Sequence, residues 1–391
     1  MPRPGPRGAR PQLIRTLNKQ LLLEEVRKDG PFSRAELARI SGLSKPTVAL
    51  ALANLERDGL VRVAGQRSGV RGPAAVLYEI RPEAGYVLGL DIGREFVRGA
   101  LADLSGAVRA KTNQKVRATT TSGRLAELTA LGDALTASAG LSRAKVTQTV
   151  IGSPGVYDAA RGALKMAGNL PGWEQPIVLT EFRRLFGRAT VVENDVDAAA
   201  LAERDHGHGS GVGTFAFVSV GTGVGLGLVI DGKLHRGAHG AAGEIAYLPL
   251  SNGDVDAAET KRRGTFEAAA SASAVVRAAK RAGMRGSLSA RRIFLDAARG
   301  DPVAQAIVQE EAALIARALA SIIAVVDPEL IVLGGGLGRA PGFAAEVGTA
   351  LGALAPVVPE IRVSALGDDA VVDGCLAAGL ERAWQRVLER A

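Results

Sequence analysis

The chain has 391 residues, 47% of them hydrophobic and 23% charged, a globular composition long enough for two or three domains. Its single cysteine, Cys375, excludes an intramolecular disulfide and any cysteine-cluster zinc site. The net charge of +8 is unevenly spread: residues 1–80 carry 14 Lys/Arg against 7 Asp/Glu, and the remainder 34 against 33. The excess therefore lies in the first fifth, which points to a polyanionic partner for that part.

MPRPGPRGARPQ is basic, and no apolar segment of a signal peptide follows it. Pro2, Pro4, Pro6 and Pro11 predict a disordered arm over residues 1–11. The most apolar stretch, SIIAVVDPELIVLGGG, is broken by Asp327, Pro328 and Glu329, short of the roughly 20 apolar residues of a membrane span. A soluble cytoplasmic protein without membrane contacts is expected.

Residues 12–81 read as one module. In LNKQLLLEEVRK, Leu17, Leu21 and Val26 lie near helical spacing, and Asp29-Gly30-Pro31 ends the helix. Ser33 and Glu36 form a capping box at the start of a short helix closed by Ser41-Gly42. Ser44 can cap a third helix that buries Val48, Leu52 and Leu55 and stops at Asp58-Gly59. LVRVAG and AVLYEI then read as two strands around the basic turn QRSGVRGP. This is the element order of a winged helix-turn-helix, whose third helix enters the major groove of double-stranded DNA. Ser44, Lys45 and Thr47 would meet base edges with free side chains, and Arg67 and Arg71 at the wing tip would meet phosphates or the minor groove. A helical protein-docking module would share this spacing.

From residue 86 onward, β-branched strands alternate with alanine-rich helices: YVLGLDIG, FVRGALAD, TQTVIGSPG, ATVVEND, TFAFVSVGTGVGLGLVI and ELIVLGGG. The alternation predicts an α/β architecture of two lobes with a cleft between them, a hairpin opening the second lobe. Glycines gather at strand ends, where a ligand can approach the backbone. The histidines at 206, 208, 235 and 239 have no metal-ligand spacing and read as surface or packing residues.

NLPGW, VVENDVDAAALAE, SVGTGVGLGLVIDGKLHRGAHGAAGE and PELIVLGGG resemble, over residues 86–385, the ROK family of repressors, open reading frames and sugar kinases. The resemblance implies an actin-like (ribonuclease-H-like) sugar-kinase fold, and a winged helix-turn-helix in front is the arrangement of that family's regulators. It also implies residue roles. Asp195 stands at the catalytic-base position, and Asn194 and Asp195 would bond sugar hydroxyls. Glu244 and Glu267 match further sugar-contacting acids, and Asn169 lies in a loop that lines the sugar cleft. Asp91 and Gly93 match the first phosphate loop, Gly221, Thr222 and Gly223 the second, and Gly334, Gly335 and Gly336 the turn near the adenosine. On the residues alone, Asp195 could equally be a helix N-cap.

Departures from the family pattern decide the expected function. Family kinases follow the first Asp-Ile-Gly with Gly-Thr; here Arg94 and Glu95 follow, adding a side chain and a negative charge where phosphate would lie. The family's Glu-x-Gly-His becomes Glu244-Ile245-Ala246-Tyr247, and its cysteine-rich zinc loop becomes SNGDVDAAETKRRGTFEAA. No zinc is expected, ATP and magnesium are expected only if the chain phosphorylates, and Lys261, Arg262 and Arg263 are expected to be solvated. Tyr247 can still bond a hydroxyl or stack on a pyranose ring. The expectation is a sugar-responsive transcriptional regulator, a repressor of carbohydrate genes, acting as a homodimer or dimer of dimers. Its effector would be a monosaccharide of the xylose, glucose or amino-sugar class. The alternatives are an ATP-dependent sugar kinase with an accessory DNA-binding module, and a regulator governed by a protein partner.

Overall fold

The computed structural model describes residues 11–67, 74–158, 161–167, 170, 172–250, 260 and 263–390. In chain order the first module contains α1 (Pro11–Asp29), β1 (Phe32–Ser33), α2 (Arg34–Ser41), α3 (Lys45–Arg57), β2 (Val61–Arg67) and β3 (Ala75–Ile80). The capping box at α2 forms: the Ser33 hydroxyl accepts the Glu36 N–H, and the Glu36 carboxylate accepts the Ser33 N–H at 2.7 Å. That N–H bond and the Ser33 hydroxyl hold the Glu36 carboxyl below its ordinary range. Gly42, at φ 69°, ends the helix in a left-handed turn.

Three readings of this module need correction. Pro11 belongs to α1 rather than to the arm; at a first helical position its missing N–H is no loss. Residues 1–10 lie outside the described residues. The inward face of α1 is set by Leu22, Leu23 and Val26, while Leu17 and Leu21 are exposed. The module also has three strands rather than two, in the order β1-β3-β2.

The remaining elements build two lobes. The first holds β4 (Tyr86–Ile92), β5 (Phe96–Asp103), β6 (Val108–Lys115), α4 (Thr121–Ser138), β7 (Val146–Ser153), the short hairpin β8 (Val156–Asp158) and β9 (Ala163–Lys165), α5 (Pro176–Phe186), β10 (Thr190–Asn194) and α6 (Asp195–His206). The second holds β11 (Phe215–Val220), β12 (Val224–Ile230), β13 (Lys233–Leu234), α7 (Thr265–Ala269), α8 (Ala272–Arg281), α9 (Ala290–Ala298), α10 (Pro302–Val326), β14 (Leu330–Gly334), α11 (Gly335–Gly338), α12 (Phe343–Gly352), β15 (Glu360–Val363) and α13 (Ala370–Arg390).

The two central sheets repeat one topology. The first runs β10-β7-β4-β5-β6 and the second β13-β12-β11-β14-β15. In each, the first three strands are antiparallel neighbours and the last two add in parallel beside the first. Parallel strands need helical crossovers that cover the sheet, and the central strands β4, β11 and β14 are buried along nearly their whole length. The expected hairpin opens the second lobe, with Val218 opposite Leu226.

The closing helix α13 returns to the first lobe and packs on β4 and on α6. That packing is backbone to backbone: a Cβ on Gly374 would lie 1.7 Å from the Ala198 carbonyl oxygen. The far end of α13 meets the N-terminal module, where the Gln20 side-chain amide donates to the Leu388 carbonyl and the Arg27 guanidinium lies over Trp384. Leu22, Leu52, Val87, Val372, Leu376 and Trp384 belong to one continuous apolar cluster, so module and lobe share a core.

Candidate functional site

A cleft of about 320 Å³ opens between the lobes, within the size range of small-molecule sites. Its centre is the junction of β10 and α6. Asn194, the last strand residue, caps the helix by accepting the Val196 and Asp197 N–H groups, and its amide donates to the Gly155 carbonyl. The cap is therefore Asn194, not Asp195. Asp195 accepts the Val196 N–H and lines the cleft. Asp197, two residues further along α6, also lines the cleft.

Across from α6, Gly243 takes a left-handed φ of 89° with its Cα against Leu226, where a Cβ would fall 2.0 Å from a carbonyl oxygen. The tight turn this permits brings Glu244 and Tyr247 into the cleft. Burial pushes three carboxyl groups up, Asp195 to about 6, Glu244 to about 7 and Asp197 to about 8. Neighbouring acids reinforce each shift: Glu267 acts on Asp195, Asp195 on Glu244, and Glu193 most strongly on Asp197. Glu267 also lines the cleft, yet both its oxygens are engaged. One accepts the Val224 N–H at 3.1 Å and the other the Arg263 guanidinium at 2.8 Å. Arg263 is thus buried and paired rather than solvated, and it also donates to the Thr222 carbonyl. Asn169, Lys261 and Arg262 lie outside the described residues.

The opposite end of the cleft carries the glycine loops. The Gly93 N–H donates to the Phe96 carbonyl at 2.9 Å, closing the β4–β5 hairpin. That hairpin places Asp91 directly opposite Arg98, and their side chains pair at 3.2 Å. Burial still lifts the Asp91 carboxyl to about 7, with Arg98 drawing it back. Arg98 reaches on to Asp368, which also pairs with Arg339. Gly221, Thr222 and Gly223 line the cleft, as do Gly335 and Gly336. Gly334 does not: its Cα lies against the Phe217 ring, which a Cβ would meet at 2.3 Å. Its role is packing.

A two-lobed frame with duplicated sheets and this acid-lined cleft finds its match in the ROK family model, which covers residues 87–380. The chain belongs to the ROK family. A winged helix-turn-helix DNA-binding model matches residues 15–62 of this ROK protein. The xylose repressor of Caldicellulosiruptor bescii is 26% identical over 93% of this chain and 96% of its own length. The glucokinase of Thermotoga maritima is 32% identical over 49% of this chain and 64% of its own. Among solved structures, a ROK family transcriptional regulator homologous to the E. coli MLC protein superposes with a TM-score of 0.75, at 23% identity over 96% of this chain and 98% of that one. The ROK glucokinase of Streptomyces griseus, solved with glucose and AMPPNP, superposes at 0.65, with 25% identity over 76% and 100% of the two chains.

The first glycine loop of this ROK member is closed by its own bonds. Its glycine N–H closes a hairpin, its carboxylate is paired with an arginine, and Arg94 and Glu95 occupy the turn. Phosphoryl transfer depends on positioned donors around the phosphate. Among the described residues, no cluster of three His, Cys, Asp or Glu side chains is placed to hold a metal ion.

On the DNA-facing module, Ser44 caps α3, accepting the Thr47 N–H, and its hydroxyl lies 2.8 Å from the Thr47 hydroxyl. These two side chains are therefore engaged with each other rather than free. Lys45 is exposed on the first turn. Arg67 is tied back to Glu36 at 2.8 Å, which fixes the base of the wing against α2; Arg71 lies outside the described residues. Sequence reasoning missed Arg98, Asp197 and the pairing of Arg263. Two of these had a signal: a hairpin turning at 94–95 puts 91 opposite 98, and Arg263 precedes Glu267 by one helical turn.

Proposed function

We propose that this ROK protein is a sugar-responsive transcriptional repressor whose kinase-like cleft binds a monosaccharide without phosphorylating it. The observation that carries this reading is the contrast within one cleft. Asp195 and Glu244 remain open to ligand, while Glu267 is held by Arg263 and Asp91, beside the first glycine loop, by Arg98. An ionised carboxylate accepts hydroxyl hydrogens, and an acid that keeps its proton can also donate. The similarity to the xylose repressor over nearly the full length supports the regulator reading.

The route from cleft to operator runs through packed helices. A sugar bound at the α6 N-terminus favours one lobe arrangement by its difference in affinity for the two. α6 rests on α13 without intervening side chains at Gly374, and α13 reaches α1 through Trp384 and Leu388. Rotation of α1 would re-aim α3. Two copies would read half-sites about 34–36 Å apart, or multiples of that.

Thermal unfolding against a panel of free sugars, with and without ATP and magnesium, tests the proposal. A sugar at 100 times its dissociation constant adds about 2.7 kcal/mol. Stabilisation by sugar alone, with nothing gained from nucleotide, is the expected result; ADP release with the same sugar would establish the kinase instead. Lys45→Ala should weaken operator binding and lower its salt dependence by about one counterion, with sugar affinity unchanged. Unchanged operator affinity would remove α3 from the groove.

A further inference from the structure

Asp197 has no part in the chemistry outlined so far. The residue lines the cleft and is 5% exposed, and among the described residues its carboxyl group makes no hydrogen bond or ion pair. Its backbone N–H is used by the Asn194 cap, so the local helix is complete without the side chain. A buried acid with no partner is destabilising unless something in the functional state supplies one.

The surroundings define what that partner would be. Glu193, on β10, is held by both arms of the Arg236 guanidinium at 2.6 and 3.1 Å. Among the described residues, Arg236 is the cation that acts on Asp197, and it is already shared with Glu193. Against it stand Glu193, Glu244 and Asp195, all acting on Asp197 in the same sense. Of the three described arginines that line the cleft, Arg98 is committed to Asp91 and Arg263 to Glu267, and Arg94 stands on the turn between β4 and β5, at the glycine-loop end. At the α6 end, therefore, three carboxyl groups face ligand space with no counter-cation of their own. An anionic ligand would be repelled there, and a neutral sugar would leave Asp197 to hold its proton.

Resting on the sugar-sensor reading above, we propose that Asp197 forms a subsite for a protonated amine, so that the effector is an amino sugar with a free ammonium group. In that complex the ammonium takes the place of the missing cation and bonds the Asp197 carboxylate. A neutral hydroxyl at the same position cannot do so, and an N-acetylated amine carries no charge.

A consequence follows for protons. Burial first, and then Glu193, raise the Asp197 carboxyl to about 8, while Arg236 lowers it. Near neutral pH the free protein holds a proton there, and an arriving ammonium displaces it. Binding of the amino sugar then releases protons, and its measured heat changes with the ionisation heat of the buffer.

The test uses the full chain at pH 7 and three matched pairs: D-glucosamine with D-glucose, D-galactosamine with D-galactose, and D-mannosamine with D-mannose. The N-acetyl form of each amine is the neutral control. Titration calorimetry should show one free amine binding at least tenfold tighter than both its hydroxyl and its N-acetyl partner, with proton release. Asp197→Asn, close in shape, should bring that ratio to about one. A neutral sugar that binds as tightly as its amine overturns the subsite and leaves the sensor reading standing. So does a preference that survives Asp197→Asn in a protein with unchanged melting temperature. If no member of the panel binds, neutral or charged, the amine subsite falls, and D-xylose in the same titration decides whether the sugar-sensor reading falls with it.

Discussion

At the α6 end of the cleft, Asp195, Asp197 and Glu244 face ligand space with no cation bonded to them among the described residues. At the glycine-loop end, Asp91 is held by Arg98 and Glu267 by Arg263, and the Gly93 N–H is closed into its own hairpin. Both ends are lined by buried or half-buried carboxyl groups. One end leaves them without a cation, which creates a demand for a ligand; the other pairs them internally, which removes the demand. The difference is one of partners rather than of frame, since the two lobes repeat the same sheet order.

Breaking the open end should have the largest effect on ligand binding. Asp195→Ala removes two charge-assisted hydrogen bonds at about 1.5 kcal/mol each, so sugar affinity should fall by roughly 100-fold. Operator affinity in the absence of sugar should stay as it was, measured by gel shift. If the sugar binds Asp195→Ala as well as the parent, the open end is not the ligand end.

Breaking the closed end should instead affect the fold. Arg98→Ala leaves Asp91 buried beside no cation and should destabilise by about 3 kcal/mol at pH 8. Chemical denaturation at pH 5, where Asp91 takes up a proton, should show a much smaller loss. Sugar affinity should not change in either condition, and a change would show that the two ends are not separable.

The pH dependence sharpens the comparison with a smaller effect. Asp91, Asp195, Asp197 and Glu244 all have folded-state values raised from 3.8 or 4.5 to between about 6 and about 8. A raised carboxyl favours the fold while protonated, so its contribution is full below about pH 4 and is lost as pH rises through the folded value. The melting temperature of the free protein should decline from pH 5 to pH 8, and Asp197→Asn should flatten the upper part of that decline. A saturating amino sugar should flatten it too.

Much of the DNA-binding module was legible because its signals are local. Ser33 with Glu36, Ser44 before α3, and Gly42 after α2 each act on backbone groups within one turn, and each takes its expected place. The face of α1 was not legible. LNKQLLLEEVRK offers apolar residues on more than one side, and the choice of Leu22 and Leu23 over Leu17 and Leu21 is made by α3 and α13 packing against them. The cleft divides the same way. Asn194, Asp195, Glu244 and Tyr247 line it as their motifs implied. Gly334 and Gly335 sit in one motif but do different work, because Phe217 from the neighbouring strand packs beneath the first alone. Arg98 could not be weighed until the hairpin register put it across from Asp91.

The contact at Gly374 binds α6 to α13 with no side chain between them, and α13 in turn grips α1. On the coupling proposed above, that rigid path carries free energy in both directions. If a sugar weakens operator affinity by some factor, the operator must weaken sugar affinity by the same factor. DNA-bound copies would then respond at a higher sugar concentration than free copies. The set-point of the switch would depend on how many operator sites a cell holds for each molecule of protein, a quantity written in the genome rather than in the cleft.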